Sequence, residues 1–351
     1  MRLLWLAKRT LMAQDIVASR FGRYFHLPRE LARLGHDVTL CLLSYRFSKA
    51  ITLREGRLTV VAAPLGPVYV RAMKKALSDA DAVVGSSDSP YVVLAALLSA
   101  AKQVPFVADL HDNFDAYSSR YLPGMSRARE AALGRASLIT CVSPALQSRM
   151  MELHPDARVE RLENGIDPGL GWRRDRASCR ARWGVATAVP LFGYAGALAS
   201  TRDLSTIFEA WPRVRRALPE ARLLLAGKRE LTLPSLDGMT YLGQLPHSEV
   251  PELLGALDVA LVPTRRGAFG DYCFPFKLNE ALAAGVPPLV ADFGAAAEWL
   301  EGFPRHRYLT GSSEDLARAM IELWVRPEVP TVPVPSWAEL ASRLERWLGA
   351  P

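Results

Sequence analysis

The 351-residue chain predicts an α/β protein with parallel sheets arranged in two domains. Three observations predict it. Short apolar runs of strand character alternate with segments of helical period along most of the chain, the pattern of successive βαβ units. The length exceeds one typical domain and suits two of roughly 100–200 residues each. Half of the residues are hydrophobic and 23% are charged, enough apolar surface for two cores.

The formal net charge of +7 favours an anionic partner such as a phosphorylated ligand or a membrane surface. There is no recognised nucleic-acid motif and no long basic stripe, so nucleic acid is not an expected partner. The four cysteines are scattered, without C-x-x-C or Cys/His ligand spacing; Cys41 and Cys141 fall in apolar runs and read as buried thiols of a reducing compartment. Met1–Ala7 is too short for the apolar core of a signal peptide, and no apolar run approaches the ~20 residues of a membrane span. The expected location is cytoplasmic, with peripheral attachment to the inner membrane face left open.

Taken in order, Arg2–Leu6 is a first strand, and a helix follows from about Arg20 to Leu34, with Pro28 marking a kink or its true start and Gly35 its end. His36–Leu40 begins the next strand. Leu58–Ala63 and Ala82–Gly85 are two more, and a helix runs from about Ser89 to Ala101. Phe106–Asp112 is a strand with a polar end carrying His111 between carboxylates. Leu138–Ser143 runs into Pro144 and a helix to about Leu153. From Gly169 to Ala188 the alternation breaks into a basic stretch, read as an interdomain connection with a short exposed helix. Leu191–Gly196 opens the second domain, followed by a helix at Leu204–Leu218, strands at Ala221–Ala226 and Met239–Leu242, a helix at Pro246–Leu257 and a strand at Val259–Val262. Glu314–Val325 is a late helix. After a proline-rich crossover, Ser336 caps a last helix at about Trp337–Leu348.

The most informative stretch is Leu261–Asp292, a strand–loop–helix–strand unit. Pro275 suits the first helical turn, where its missing N–H has no partner to lose, and Gly285 stops the helix. The loop from Gly267 to Phe274 feeds a helix N-terminus, where backbone donors and the helix dipole favour an anion. Lys277 and Glu280 share one face near that end. A cation there can meet a diphosphate, and a carboxylate one turn on can accept from two neighbouring hydroxyls. By spacing alone the pair reads equally as a surface ion pair.

The string Pro275-Phe276-Lys277-Leu278-Asn279-Glu280-Ala281-Leu282-Ala283-Ala284-Gly285-Val286-Pro287 resembles the P-x-K-x-x-E-x-x-A-x-G-x-P signature of the group 1, family 4-like retaining glycosyltransferases. Leu31–Val38 resembles that group's "LAxxGHxV", Asn164-Gly165-Ile166-Asp167 its "NGxD", and Gly193-Tyr194-Ala195-Gly196 its "GYxG". The resemblance implies the GT-B fold: two Rossmann-like domains facing a central cleft, with the C-terminal helix crossing back to the first. It places an acceptor domain at 1–168, a nucleotide-sugar domain at 187–330, and the crossover with its helix at 331–351. It further implies transfer of a sugar, hexosyltransferase-like and with retention, from a nucleotide-sugar donor to a glycan or lipid-linked acceptor.

On this reading no cofactor is needed beyond the donor. His111, Lys277 and Glu280 are the candidate catalytic residues, His111 lying near the transferred sugar by resemblance and otherwise reading as a strand-end residue. The donor site is expected from Gly196, Lys277, Glu280 and the loop Gly270, Asp271, Tyr272, Cys273 and Phe274; Arg202 and Lys228 are further cations that also read as solvated. Ser143 and Asn164 are placed at the rim, with capping and turn roles as the alternative. No metal site is expected: the one D-x-D, Asp79-Ala80-Asp81, reads as a solvated helix end. Two departures from the pattern stand out. Tyr272 occupies the place of a glutamate eight residues before Glu280, and Ala197 and Leu198 stand where many members carry arginine. A nucleotide-sugar epimerase and an inactive nucleotide-sugar-binding homologue therefore remain as alternatives. Arg20, Phe21, Arg23, Tyr24 and Phe25 interleave charge and aromatics as an interfacial helix does; with Arg29, Arg33, Arg71, Lys74 and Lys75 they read as a contact to an anionic membrane, or equally as a solvated helix face or a contact to a soluble anionic acceptor.

Overall fold

In the computed structural model the described residues are 1–11 and 14–349, so the last two residues of the expected C-terminal segment lie outside them. The chain divides into two compact units. The first comprises Met1–Asn164, Tyr272–Phe274 and Pro335–Pro351; the second comprises Gly165–Asp271 and Pro275–Val334.

The first unit carries β1 (Arg2–Lys8), α1 (Arg23–Arg33), β2 (Asp37–Leu43), β3 (Ile51–Glu55), β4 (Leu58–Ala63), α2 (Pro67–Asp79), β5 (Ala82–Ser86), α3 (Ser89–Lys102), β6 (Phe106–Leu110), α4 (Met125–Leu133), β7 (Leu138–Cys141), α5 (Pro144–Leu153) and β8 (Val159–Arg161). Its sheet has the order β8-β7-β6-β5-β1-β2-β4-β3. All pairs are parallel except the edge pair β3–β4. Leu3 to Ala7 of β1 are all buried, and successive side chains point to opposite faces, so both faces are covered as a parallel sheet requires.

The second unit carries α6 (Arg176–Arg182), β9 (Leu191–Ala195), α7 (Leu204–Ala217), β10 (Arg222–Ala226), β11 (Met239–Tyr241), α8 (Val250–Ala256), β12 (Val259–Val262), α9 (Phe276–Ala284), β13 (Pro288–Ala291), α10 (Gly294–Trp299), β14 (Arg307–Tyr308) and α11 (Ser313–Val325). Its sheet is wholly parallel in the order β11-β10-β9-β12-β13-β14. In both units the order reverses once, between β1 and β5 and between β9 and β12. Such a switch point opens a crevice at the carboxyl ends of the strands.

The final helix, α12 (Trp337–Leu348), belongs to the first unit. Ser336 and Glu339 close a reciprocal capping box at its start. Trp337, Leu340, Ala341 and Leu344 are buried, and the Trp337 ring stacks on His26 of α1 with centroids 5.4 Å apart.

One sequence expectation is corrected here. Residues 20–25 are not an interfacial helix. Arg20 has a left-handed backbone (φ 51°), Gly22 caps α1 at φ 84°, and an added Cβ at Gly22 would strike the Leu11 side chain. Phe21, Tyr24, Phe25 and Arg23 are buried, so the aromatics that suggested a membrane contact are core. The stretch after Gly169 is exposed over most of its length, as expected, but three of its residues pin it to the fold. Trp172, Cys179 and Arg180 are buried in the second unit, where the Arg180 guanidinium donates to the Ala256, Ala186, Thr187 and Val189 carbonyls and to Asp258. All four cysteines are free and buried, and burial pushes the Cys41 thiol up to about 12.

Candidate functional site

At the second unit's switch point, β9 ends at Ala195 and Gly196 turns the chain. An added Cβ at Gly196 would lie 2.0 Å from Lys277 Cε, and one at Gly227 would lie 1.8 Å from the Gly196 carbonyl oxygen. Only glycine permits these approaches. The Lys277 side chain thus rests against the Gly196 backbone, with its ammonium 5.3 Å from the centre of the Tyr194 ring. Glu280, one turn further along α9, is 8% exposed. Its Oε1 lies 3.0 Å from His247 Nε2, and the His247 ring meets the edge of Trp172. Helix α9 starts at Phe276, with Pro275 at the N-cap one position before the expected first turn, and Gly285 ends it in the left-handed region (φ 73°).

The other predicted members of this site divide. The loop closes on itself around Gly270 and Asp271: the Asp271 N–H donates to the Gly267 carbonyl at 3.0 Å, and Asp271 Oδ2 accepts from the Gly267 N–H at 3.2 Å. Arg202 lies over the Phe269 ring at 4.6 Å. Lys228 has its backbone beside Leu198, but its ammonium points to Glu230 at 2.6 Å on the exposed surface. Tyr272, Cys273 and Phe274 group with the first unit. There Ser143 Oγ donates to the Tyr272 carbonyl at 2.6 Å, Asn164 Nδ2 donates to the Phe274 carbonyl at 2.9 Å, and Arg149 donates to the Tyr272 hydroxyl. Ser143 also caps α5.

The first unit's switch point is built around His111, which follows β6 and is 6% exposed. His111 Nε2 lies 2.5 Å from the Tyr24 hydroxyl and 3.1 Å from that of Tyr117. Tyr117 in turn donates to Asp112 at 2.5 Å. Nδ1 of His111 is buried with no hydrogen-bond partner among the described residues. Burial holds the imidazole well below its ordinary pKa; the Lys8 charge adds to this, while Asp109 opposes it. The ring is thereby held in its neutral, hydrogen-bonding form. Lys8, at the end of β1, has its ammonium 4.7 Å from the centre of the Tyr117 ring.

Beneath His111 the sheet holds a buried ion pair. Arg23 donates to both oxygens of Asp109 and to the Leu162 and Glu163 carbonyls. Asp109 also accepts from Ser86 and Thr140. Burial works against this carboxylate, but Arg23 and the two hydroxyls hold its pKa below the ordinary range.

Sequence reasoning missed Tyr24, Tyr117, Lys8 and His247. Tyr24 and His247 are 87 and 33 residues from the groups they meet, and no spacing rule reaches that far. Asp81 of the D-x-D is bound to Arg2 through its backbone N–H and its guanidinium, both at 2.7 Å. Among the described residues no group of three or more His, Cys, Asp or Glu is placed to share a metal ion.

The model of the family described as glycosyl transferases group 1 matches residues 189–325, and that of glycosyltransferase family 4 matches residues 24–170. The chain belongs to the group 1 glycosyltransferases. Relatives of this glycosyltransferase include a protein assigned to teichuronic acid biosynthesis in Bacillus subtilis strain 168. The two are 27% identical over 244 residues, 67% of this chain and 60% of that one, so the chain spans less than two thirds of that relative's length. Glycogen synthase of Mycobacterium tuberculosis is 27% identical over 337 residues, 81% of this chain and 77% of its own. Among solved structures, Anabaena HepE in complex with UDP and glucose superposes with a TM-score of 0.75 at 16% identity, covering all of both chains. That likeness shows the GT-B fold.

Proposed function

We propose that this glycosyltransferase moves a sugar from a nucleotide-sugar donor, bound on the second unit, to a glycan or lipid-linked acceptor at the His111 edge of the first. The observation that carries the proposal is Lys277 packed on Gly196 at the switch point, with the Glu280 carboxylate one turn along the same helix. The arrangement fits a diphosphate followed by a ribose diol. The HepE complex with UDP and glucose supports a nucleotide-sugar donor. The names of the teichuronic acid and glycogen relatives support a carbohydrate acceptor.

In the proposed reaction the bond from the anomeric carbon to the diphosphate oxygen breaks and the acceptor oxygen bonds to that carbon. The acceptor proton passes to the departing diphosphate on the same face, which gives retention without a dedicated protein base. Negative charge grows on the diphosphate, where Lys277 and the N-terminus of α9 stabilise it in place of a metal. His111, neutral and held by Tyr24 and Tyr117, lines the sugar's end of the site without taking part as a proton-transfer group. A direct test incubates UDP-, GDP-, ADP- and dTDP-sugars without acceptor in excess EDTA. One donor is expected to release free sugar of unchanged stereochemistry at the anomeric carbon. Epimerised donor, or release only after Mg²⁺ or Mn²⁺ is restored, would contradict the reading.

A further inference from the structure

Three large apolar side chains of the first unit are exposed in neighbouring segments. Tyr45 (69% exposed) follows β2, Leu65 (76%) follows β4, and Val68 (49%) lies in the first turn of α2. β2 and β4 are parallel neighbours with Leu43 opposite Ala63, and the Ser44 N–H donates to the Ala63 carbonyl at 2.9 Å. The two loops therefore leave the sheet side by side. Buried residues hold this surface from beneath: the Tyr91 hydroxyl donates to that of Tyr45 at 3.0 Å, and Tyr69 anchors α2.

The same segments carry five exposed cations: Arg46, Lys49, Arg71, Lys74 and Lys75. None of their side chains makes an ion pair or hydrogen bond with a described residue. Segments 44–50 and 64–78 contain no Asp or Glu. On α2, Val68, Arg71 and Lys75 fall on one stripe by helical period. Other cations of this unit do have carboxylates: Arg20 pairs with Glu55, Arg29 and Arg33 with Glu30, and Arg2 with Asp81.

Water satisfies a lysine, but it is a poor partner for three clustered apolar side chains. A nucleic-acid backbone would use the cations and leave Leu65 and Val68 idle. An anionic lipid surface uses both, with headgroup phosphates meeting the cations and the apolar tips reaching the acyl boundary. No helix among the described residues is long and apolar enough to cross a membrane. We propose that the face formed by residues 45–49, Leu65 and the exposed stripe of α2 docks reversibly on an anionic bilayer. The patch lies at the carboxyl edge of the sheet, where β6 also delivers His111, so a lipid-carried acceptor would arrive at the edge that uses it. Only that last link rests on the reading of the previous section; the docking does not.

The test is sedimentation of the full chain with phosphatidylcholine vesicles containing increasing phosphatidylglycerol. Binding is expected to rise with the anionic fraction and fall with salt. Removing a cation is expected to lower the partition coefficient about five-fold, so Lys74→Ser with Lys75→Ser costs about 25-fold. Leu65→Ser with Val68→Ser weakens binding to the same vesicles, whereas Arg20→Ser leaves it unchanged. Each variant is also checked for the first unit's calorimetric transition and titrated with UDP and the other nucleoside diphosphates, so that loss of the fold and failure of the donor reading are seen separately from failure of docking. Equal partitioning on neutral and anionic vesicles would overturn the proposal. So would wild-type binding by the double-serine variants, or capture by heparin but not by vesicles, which would assign the patch to a soluble anionic partner.

Discussion

His111 is a neutral imidazole enclosed by Tyr24, Tyr117 and Phe114, and this has a consequence for stability as well as chemistry. Its folded pKa lies well below the ordinary value, whereas the unfolded chain titrates near 6.5. Below about pH 6.5 the unfolded state therefore binds the extra proton, and stability falls as pH drops toward the folded pKa, by up to ~1.4 kcal/mol per unit. Above pH 6.5 this contribution is complete. Urea unfolding at pH 5 and pH 7, followed on the first unit's transition, should show the loss in the wild type and a smaller one in His111→Gln. An equal pH dependence in both proteins would place the titration on another group of the first unit. The sequence marked His111 by its place at a strand end. It gave no sign of the two tyrosine hydroxyls at Nε2, because α1 brings Tyr24 from a distant part of the chain.

Among the elements, the turns after β9 and β10 fix the proposed donor site. Gly227 has φ 136° and its α-carbon lies under the Gly196 carbonyl, while its N–H donates to the Gly243 carbonyl at 2.8 Å. A methyl at this position must push the Gly196 turn away from β10, and Lys277 moves with it. Gly227→Ala should destabilise the second unit by ~1–3 kcal/mol, the range for overpacking and for a strained backbone. It should also weaken nucleoside diphosphate binding, read by calorimetry, while the first unit's transition stays in place. Unchanged affinity would show that the two turns are not coupled to the site. The helices at this level were largely legible where caps and apolar period agreed: α9 ends at Gly285, α12 starts after Ser336, and α11 runs to Val325 as expected. Elements read poorly where long-range packing decides. The edge strand β3 alternates between half-buried and exposed residues and lacks a strong apolar run. Helix α2 hides its signal in a stripe anchored by one buried tyrosine, and α6, solvent-facing over most of its residues as expected, gave no sign that Arg180 satisfies four carbonyls.

At the scale of the molecule, the C-terminal helix completes the first unit. α12 buries Trp337, Leu340, Ala341 and Leu344, and Arg343 pairs with Glu163 at 2.8 Å while His36 Nε2 lies 3.0 Å from Glu345. Fully burying one such side chain contributes ~1.5–3 kcal/mol, so losing four exceeds the margin of many domains. A chain ending at Val334 should lose the first unit's cooperative transition in calorimetry and keep the second, which a bound nucleotide at 100 times its Kd would stabilise by ~2.7 kcal/mol. Retention of both transitions would show that the helix is dispensable. The two-domain reading and the membership of the last helix were available from the sequence because each rests on repeated local patterns and a family resemblance. Residues 20–25 were misread as interfacial because charge alternating with aromatics describes a buried helix around the Arg23–Asp109 pair as well as an interfacial one.

The central claim is that Lys277 and Glu280 hold a nucleoside diphosphate at the second unit's switch point. Isothermal titration of UDP, GDP, ADP and dTDP into the wild type selects the nucleotide, and the same titration is repeated on Glu280→Ala and Lys277→Ala. Glu280→Ala is expected to lose ~1.5–3 kcal/mol of binding, the range for hydrogen bonds to a charged group, and to lose it equally with the diphosphate and the free nucleoside. Lys277→Ala should weaken the diphosphate and leave the nucleoside alone. If both folded variants bind the diphosphate as the wild type does, the donor site lies elsewhere and the account is wrong.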